Sequence, residues 1–154
     1  MKKSEVSLLS RAYGLLARRE HSRRELQDKL RRYTDAEQEL QLLLDSLTQQ
    51  GLQSDQRFAV SFVRSRVNRG HGLIRIRQDL KKRGLSTELV SQVLIEAEAD
   101  WYQLALQVRI KRFGAAAVND RKEYARQVRF LLYRGFNQDQ IHYAMTVSED
   151  EIQV

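Results

Sequence analysis

His21-Ser-Arg-Arg-Glu-Leu-Gln-Asp-Lys-Leu-Arg-Arg32 recurs fifty residues later as His71-Gly-Leu-Ile-Arg-Ile-Arg-Gln-Asp-Leu-Lys-Lys82. The shift superposes His21 on His71, Leu26 on Ile76, Leu30 on Leu80 and Arg32 on Lys82. Apolar residues four apart share one helix face, so both copies read as amphipathic helices. A second echo, at an offset of 51, links Leu80-Lys-Lys-Arg-Gly-Leu-Ser86 to Leu131-Leu-Tyr-Arg-Gly-Phe-Asn137. Each describes a helix stopped by a C′ glycine, an apolar residue, then a Ser or Asn that caps the next helix. The segments upstream align as well: Ala12/Leu15/Leu16/Arg19, Ala59/Phe62/Val63/Arg66 and Ala105/Val108/Arg112. Repetition at a period near fifty residues marks tandem helical units.

Start and stop signals divide each unit into three helices. In residues 1–53 they are expected near 5–19, 23–33 and 36–50, with Ser22-x-x-Glu25 and Thr34-x-x-Glu37 as capping boxes. In residues 54–99 they fall near 55–69, 73–83 and 87–99, closed by Gly70/Gly72 and Gly84. In residues 100–154 they fall near 100–113, 121–134 and 138–147, opened at Asp120-x-x-Glu123 and Asn137-x-x-Gln140. No window alternates strictly enough for a strand. The expected fold is all-α: three tandem three-helix repeats forming an elongated, curved molecule.

Composition narrows the function. The 154 residues include no cysteine, which excludes disulfides, thiol nucleophiles, zinc-thiolate sites and iron–sulfur clusters. Proline is absent too, so helix can follow helix without fixed kinks. No apolar run exceeds four residues, far short of the roughly 18 needed to span a bilayer. The amino-terminal segment has no apolar core of a signal peptide, which predicts a cytoplasmic location. Apolar content is 42% and charged content 31%, a surface-heavy balance that suits a thin helical assembly and an elongated monomer.

The formal net charge is +7, and residues 1–53, 54–103 and 104–154 carry +2, +3 and +2. Locally the charge is concentrated. Residues 64–83 hold eight cations and one anion, Asp79; residues 109–134 hold eight and two; residues 18–32 hold seven and three. Each repeat thus places its cations at the end of its first helix and along its second. One charged helix is usually just a solvated face. Three such clusters at equivalent positions point instead to a stripe for a polyanion, either nucleic acid or an acidic protein surface. Arginine outnumbers lysine by more than two to one, which suits bidentate phosphate and carboxylate contacts. The residues expected on that face are Arg64, Arg66, Arg69, Arg75, Arg77, Lys81, Lys82, Arg109, Arg112, Arg126 and Arg129. Some of these have structural alternatives. Arg75 is spaced to pair with Asp79, and Arg66 and Arg112 sit where helices should touch.

Catalytic constellations are not found. No G-x-x-x-x-G-K, G-x-G-x-x-G, H-E-x-x-H or G-x-S-x-G occurs. Gly70-His71-Gly72 reads as a helix–helix turn with His71 as a turn or capping residue. The acids of Glu96-Ala-Glu-Ala-Asp100 point to different helix faces, and Asp139 and the Glu149-Asp-Glu151 tail offer no better cation site. No enzyme activity, cofactor or metal is expected. Phe58, Phe62, Phe113 and Phe130 are in phase with apolar neighbours and read as core. Tyr33, Tyr102 and Tyr133 border cationic clusters; packing with a wet hydroxyl is the simpler role, base stacking the other.

The stretch from Gly51 to Leu85 resembles the signature of the bacterial RecX family. The resembling features are Gly51, Asp55, Arg57-Phe58-Ala59, Phe62-Val63, Arg66, Gly70-x-Gly72, Arg75-Ile76, Leu80 and Lys82-x-Gly84. Phe130-Leu-Leu-Tyr-Arg-Gly-Phe136 resembles the family's ending, and His21-Ser-x-x-Glu-Leu its opening. One departure is Leu73, where the family usually has proline; at a first helical position that loss should loosen the turn slightly. The segment joining the first two repeats is also short. The resemblance implies a regulator that binds RecA and its filament on DNA, suppressing ATP hydrolysis, strand exchange and co-protease activity and limiting filament growth. Nonspecific contact with single- or double-stranded DNA fits beside it. A helix-turn-helix or architectural DNA-binding protein acting without RecA is the competing reading, although a sequence reader usually has one dedicated recognition helix.

Overall fold

Serine, asparagine and aspartate side chains start most of the helices, as the capping pattern requires. The computed structural model describes residues 6–147 and Glu151. Among them are nine α-helices and no strand: α1 Leu8–Arg18, α2 Arg23–Leu30, α3 Glu37–Gln49, α4 Asp55–Asn68, α5 Leu73–Lys82, α6 Thr87–Glu96, α7 Trp101–Phe113, α8 Arg121–Arg134 and α9 Gln138–Thr146. Ser22 with Glu25 and Asn137 with Gln140 form complete capping boxes at α2 and α9. Asp120 accepts from the Glu123 N–H at the start of α8.

The boundaries differ from expectation in three places. The expected box at Thr34 and Glu37 does not form. Ala36 is the N-cap, the Thr34 hydroxyl accepts from the Ala36 N–H at 3.0 Å, and Glu37 pairs instead with Arg31 at 2.8 Å. The second helix tightens into a 3₁₀ turn over Arg31–Tyr33. The sixth stops at Glu96 rather than at 99, with Glu98 just beyond at φ 51°. Position 5, the expected start of the first helix, lies outside the described residues; α1 begins after Ser7, whose hydroxyl accepts from the Ser10 N–H.

The contacts divide the described chain into two units, the first running to Phe62 and including Leu80–Val90, the second comprising Val63–Asp79 and the chain from Ser91. In the first, Ala12, Leu26, Leu30, Leu40, Leu44 and Leu47 from α1, α2 and α3 form a core. In the second, Ala105, Leu106, Leu131, Phe136, Ile141, Ala144 and Met145 from α7, α8 and α9 form another.

A helix-end joint occurs in each unit, and it explains the sequence echoes. In the second unit, the Gly72 and Ile74 N–H groups at the start of α5 donate to the Arg134 and Gly135 carbonyls at the end of α8, at 2.7 and 3.0 Å. In the first, the Ser22 hydroxyl at the start of α2 donates to the Arg83 carbonyl at the end of α5, at 2.9 Å. Helix ends leave unpaired N–H groups at one terminus and carbonyls at the other, with opposite partial charges. In the second unit the joint satisfies one set with the other, whereas in the first the Ser22 hydroxyl supplies the donor to the carbonyl end. The stopping glycines let the ends approach: a Cβ on Gly135 would lie 2.6 Å from the Arg75 nitrogen, and one on Gly84 2.8 Å from the Arg24 Cβ. Both carry positive φ and close Schellman-type turns, with the following N–H groups of Phe136 and Leu85 returning to Leu131 and Leu80.

Gly14 is the counter-case. It lies inside α1, and a Cβ there would meet nothing within 4 Å. Gly14→Ala is therefore expected to stabilise the protein by about 1 kcal/mol, the difference in helix propensity, read as a higher denaturation midpoint.

Candidate functional site

The expected cationic residues sort into three groups by what they touch. Arg64, Arg69, Arg77, Lys81, Lys82, Arg112 and Arg129 are exposed, and among the described residues none makes an ion pair. These are the uncompensated charges. Arg75 and Arg66 are half-buried. Arg75 does not use the spacing to Asp79; its guanidinium lies over the Tyr133 ring at 5.2 Å, and its backbone packs against Gly135. Arg126 is exposed but held by a bidentate pair with Glu123 at 2.8 and 2.9 Å, which pulls the Glu123 carboxyl down to about 2.

Arg109 does not belong to an exposed face. It is 1% exposed, and its guanidinium donates to the Gln127 side-chain oxygen and to the Ala116 and Ala144 carbonyls at 3.0, 2.6 and 3.3 Å. The reason is positional. Arg109 falls one turn after Ala105 on the buried face of α7, so it turns inward and ties that helix to α8, to α9 and to the segment after Gly114.

In the second unit a cleft of about 560 Å³ opens where the end of α4, α7 and the end of α8 meet. Arg69, Lys111, Arg112 and Arg134 surround it, and no carboxylate lines it. Val67, Leu104, Val108 and Phe130 supply apolar walls. Glycine at 70 permits this geometry, because a Cβ there would come within 2.8 Å of the Val108 side chain. Arg134 is held in place by donating to the Arg69 carbonyl at 2.8 Å. Lys111 and Arg134 belong to the basic cluster at 109–134 but were not expected on the face. Only the meeting of three helices brings them to Arg69.

The aromatic residues are largely engaged. Phe58 and Phe62 are buried, while Phe113 and Phe130 pack edge to face at 5.2 Å on a half-buried surface. Tyr33 carries the Arg11 guanidinium at 3.7 Å, and Tyr102 packs on Tyr143 at 5.9 Å. Exposed hydroxyl-bearing rings packed on neighbours match the simpler role. The acids at Glu96, Glu98 and Asp100 are exposed, and the described residues contain no group of three able to hold a metal ion. Glu149 and Asp150 lie outside the described residues.

His71 sits at the joint between α4 and α5, half-buried, with its Nδ1 buried and unpartnered. Burial, then the Arg75, Arg66 and Arg134 guanidiniums, push its pKa down to about 4, against a smaller opposing pull from Asp79. His21, which bonds the Arg19 carbonyl at 3.0 Å and the Lys29 ammonium at 2.9 Å, shifts in the same direction, chiefly through burial. A base with a depressed folded pKa binds fewer protons folded than unfolded, so stability falls as pH drops. For His71 that loss begins near pH 6.5 and is complete near 4. Glu25, Glu37 and Glu123 have depressed pKa values, so their contribution is lost only below the usual carboxylate range. Denaturant midpoints should therefore decline between pH 6.5 and 5, and His71→Gln should flatten part of that slope. An unchanged slope in the variant would contradict the assignment.

The fold and this face define an all-α protein of helical units that presents uncompensated arginine and lysine. No described helix is long and apolar enough to cross a membrane. A family model described as the second three-helix domain of RecX matches residues 54–94, and one described as the third matches residues 98–145. The regulatory protein RecX of Halorhodospira halophila is 45% identical over 140 residues, covering 91% of this chain and 87% of that protein. That of Acinetobacter baylyi is 40% identical over 148 residues, covering 96% and 92%. The crystal structure of RecX from Lactobacillus salivarius shares the fold, with a TM-score of 0.73 at 23% identity, covering 89% of this chain and 91% of that one. The chain belongs to the RecX family of regulatory proteins.

Proposed function

We propose that the protein is a negative regulator of RecA, acting by binding rather than by catalysis. It binds RecA and the RecA filament on DNA, suppresses ATP hydrolysis, strand exchange and co-protease activity, and limits filament growth. Family membership along about nine-tenths of the chain carries this reading. The exposed cations without acidic partners support it, because a nucleoprotein filament is polyanionic and such charges can turn toward it without breaking an ion pair. The proposed contact residues are Lys81 and Lys82 in the first unit and Arg64, Arg69, Arg77, Arg112 and Arg129 in the second, with the half-buried Arg66 and Arg75 as further candidates and Arg126 contributing only if it leaves Glu123. DNA contact by these residues is independent of sequence.

The reading includes three repeats, 1–53, 54–99 and 100–154, in a monomer. The direct test is RecA's DNA-dependent ATP hydrolysis, titrated with the protein. The rate should fall as the protein is added. DNA binding with no change in that rate would favour an architectural DNA-binding protein that acts without RecA.

A further inference from the structure

The uncompensated cations of the second unit are not spread evenly. Four of them ring a concave site with apolar walls, and that combination has a narrower chemistry than a phosphate-binding stripe. We propose that the cleft between α4, α7 and α8 receives an acidic peptide segment that carries an apolar side chain. The inference stands whether or not that segment belongs to RecA.

Charge sets the sign of the occupant. Arg69, Lys111, Arg112 and Arg134 face the cleft, and no carboxylate lines it. Arg69 and Lys111 have no acidic partner among the described residues, and Arg134 is oriented by a neutral carbonyl rather than neutralised. An arriving carboxylate therefore gains charge-assisted bonds without breaking an existing ion pair. Shape and polarity set the rest. Val67, Leu104 and Val108 line the cleft without polar groups, and its volume of about 560 Å³ falls in the usual range for specific pockets. An apolar side chain removes such walls from water, whereas a phosphodiester backbone leaves them hydrated and unused. Gln107 and Asn68 also line the cleft, offering side-chain amides that both donate and accept, as a peptide backbone requires.

A nucleobase is the other flat, apolar occupant to consider, and Phe130 is the only aromatic residue on the cleft wall. Its ring is already engaged. Phe113 meets it edge to face at 5.2 Å, the Arg134 guanidinium lies over it at 5.0 Å, and that of Arg112 approaches at 5.8 Å. Single-strand binders instead leave aromatic faces open as stacking platforms. The cleft therefore favours a peptide.

The test is fluorescence anisotropy with the full chain and a short fluorescein-labelled peptide in which Leu and Phe alternate with Asp and Glu. The comparison probes are the same peptide with Ser in place of Leu and Phe, and an oligothymidylate of similar length. The acidic–apolar peptide should bind at least tenfold more tightly than its Ser counterpart. The pair Lys111→Glu and Arg112→Glu should weaken it at least tenfold, and Gln107→Trp, which fills the cleft without removing charge, should do the same. Lys122→Glu, an exposed cation outside the cleft, should leave binding within about twofold of wild type. All these positions except the cleft-filling one change only exposed charge, and melting curves verify that each variant is folded. Equal binding of the two peptides would overturn the proposal, as would equal losses from the cleft and control charge changes. Loss of oligothymidylate binding alone in the cleft variants would reassign the site to nucleic acid. RecA inhibition is measured separately, so its absence would refute the proposed function without touching peptide binding.

Discussion

Gly72→Ala should destabilise the protein by about 3 kcal/mol or more and lower its melting temperature by roughly 10 °C, although it adds a single methyl group. A Cβ on Gly72 would lie 2.5 Å from the Gly135 carbonyl carbon and oxygen and 2.7 Å from the Phe136 nitrogen. All three are backbone atoms, so no side chain can swing aside. Relief requires the ends of α5 and α8 to part, which breaks the bonds from Gly72 and Ile74 to the Arg134 and Gly135 carbonyls. Gly135→Ala should be worse, because the same close approach is combined with φ +99°. Gly114→Ala probes conformation without contact: φ +87° with ψ 175° is a region open essentially to glycine alone, yet nothing lies within 4 Å of the added methyl. Its cost should be about 1–3 kcal/mol. Thermal unfolding of the three variants thus separates contact from conformation. A Gly72→Ala protein that melts like wild type would mean that the helix ends can separate freely, and the joint would lose its structural role.

The same joint explains what was legible in the sequence. The echoes at offsets of 50 and 51 are the two halves of one contact: His21-Ser and His71-Gly begin the receiving helices, and Arg83-Gly and Arg134-Gly end the approaching ones. A contact built from helix termini needs caps, glycines and small residues at set positions, and these leave marks in a sequence. Arg109 was legible in principle, since it repeats the Ala105 phase, but positive charge outweighed periodicity in assigning it to the surface. The pairing of Arg75 with Asp79 failed for a different reason. Local spacing offered a partner, and an aromatic ring from a helix almost sixty residues away competes for the same guanidinium. The cleft was not legible, because its cations come from three helices and its concavity depends on how close Gly70 lets two of them come.

The second large effect concerns the face on α5. Arg77, Lys81 and Lys82 are exposed and unpaired among the described residues, so the triple change to glutamate shifts the charge by six without breaking an ion pair or opening the core. The fold should persist, with a melting temperature close to wild type. If the face contacts DNA phosphates, binding at low salt should weaken roughly a hundredfold on any sequence, and the slope of log affinity against log salt should fall by about three, one for each lost contact. Inhibition of RecA's ATP hydrolysis would then fail in parallel with DNA binding. If the face meets acidic residues of RecA, inhibition should be lost while affinity for bare DNA changes far less, because the repulsion arises only in the protein complex. Measuring both quantities on one folded variant decides between these arrangements, since the two ligands respond to different parts of the same change. Should the variant retain both activities, α5 carries a solvated face, and recognition must rest on cations elsewhere, beginning with Arg69 and Arg112 at the cleft.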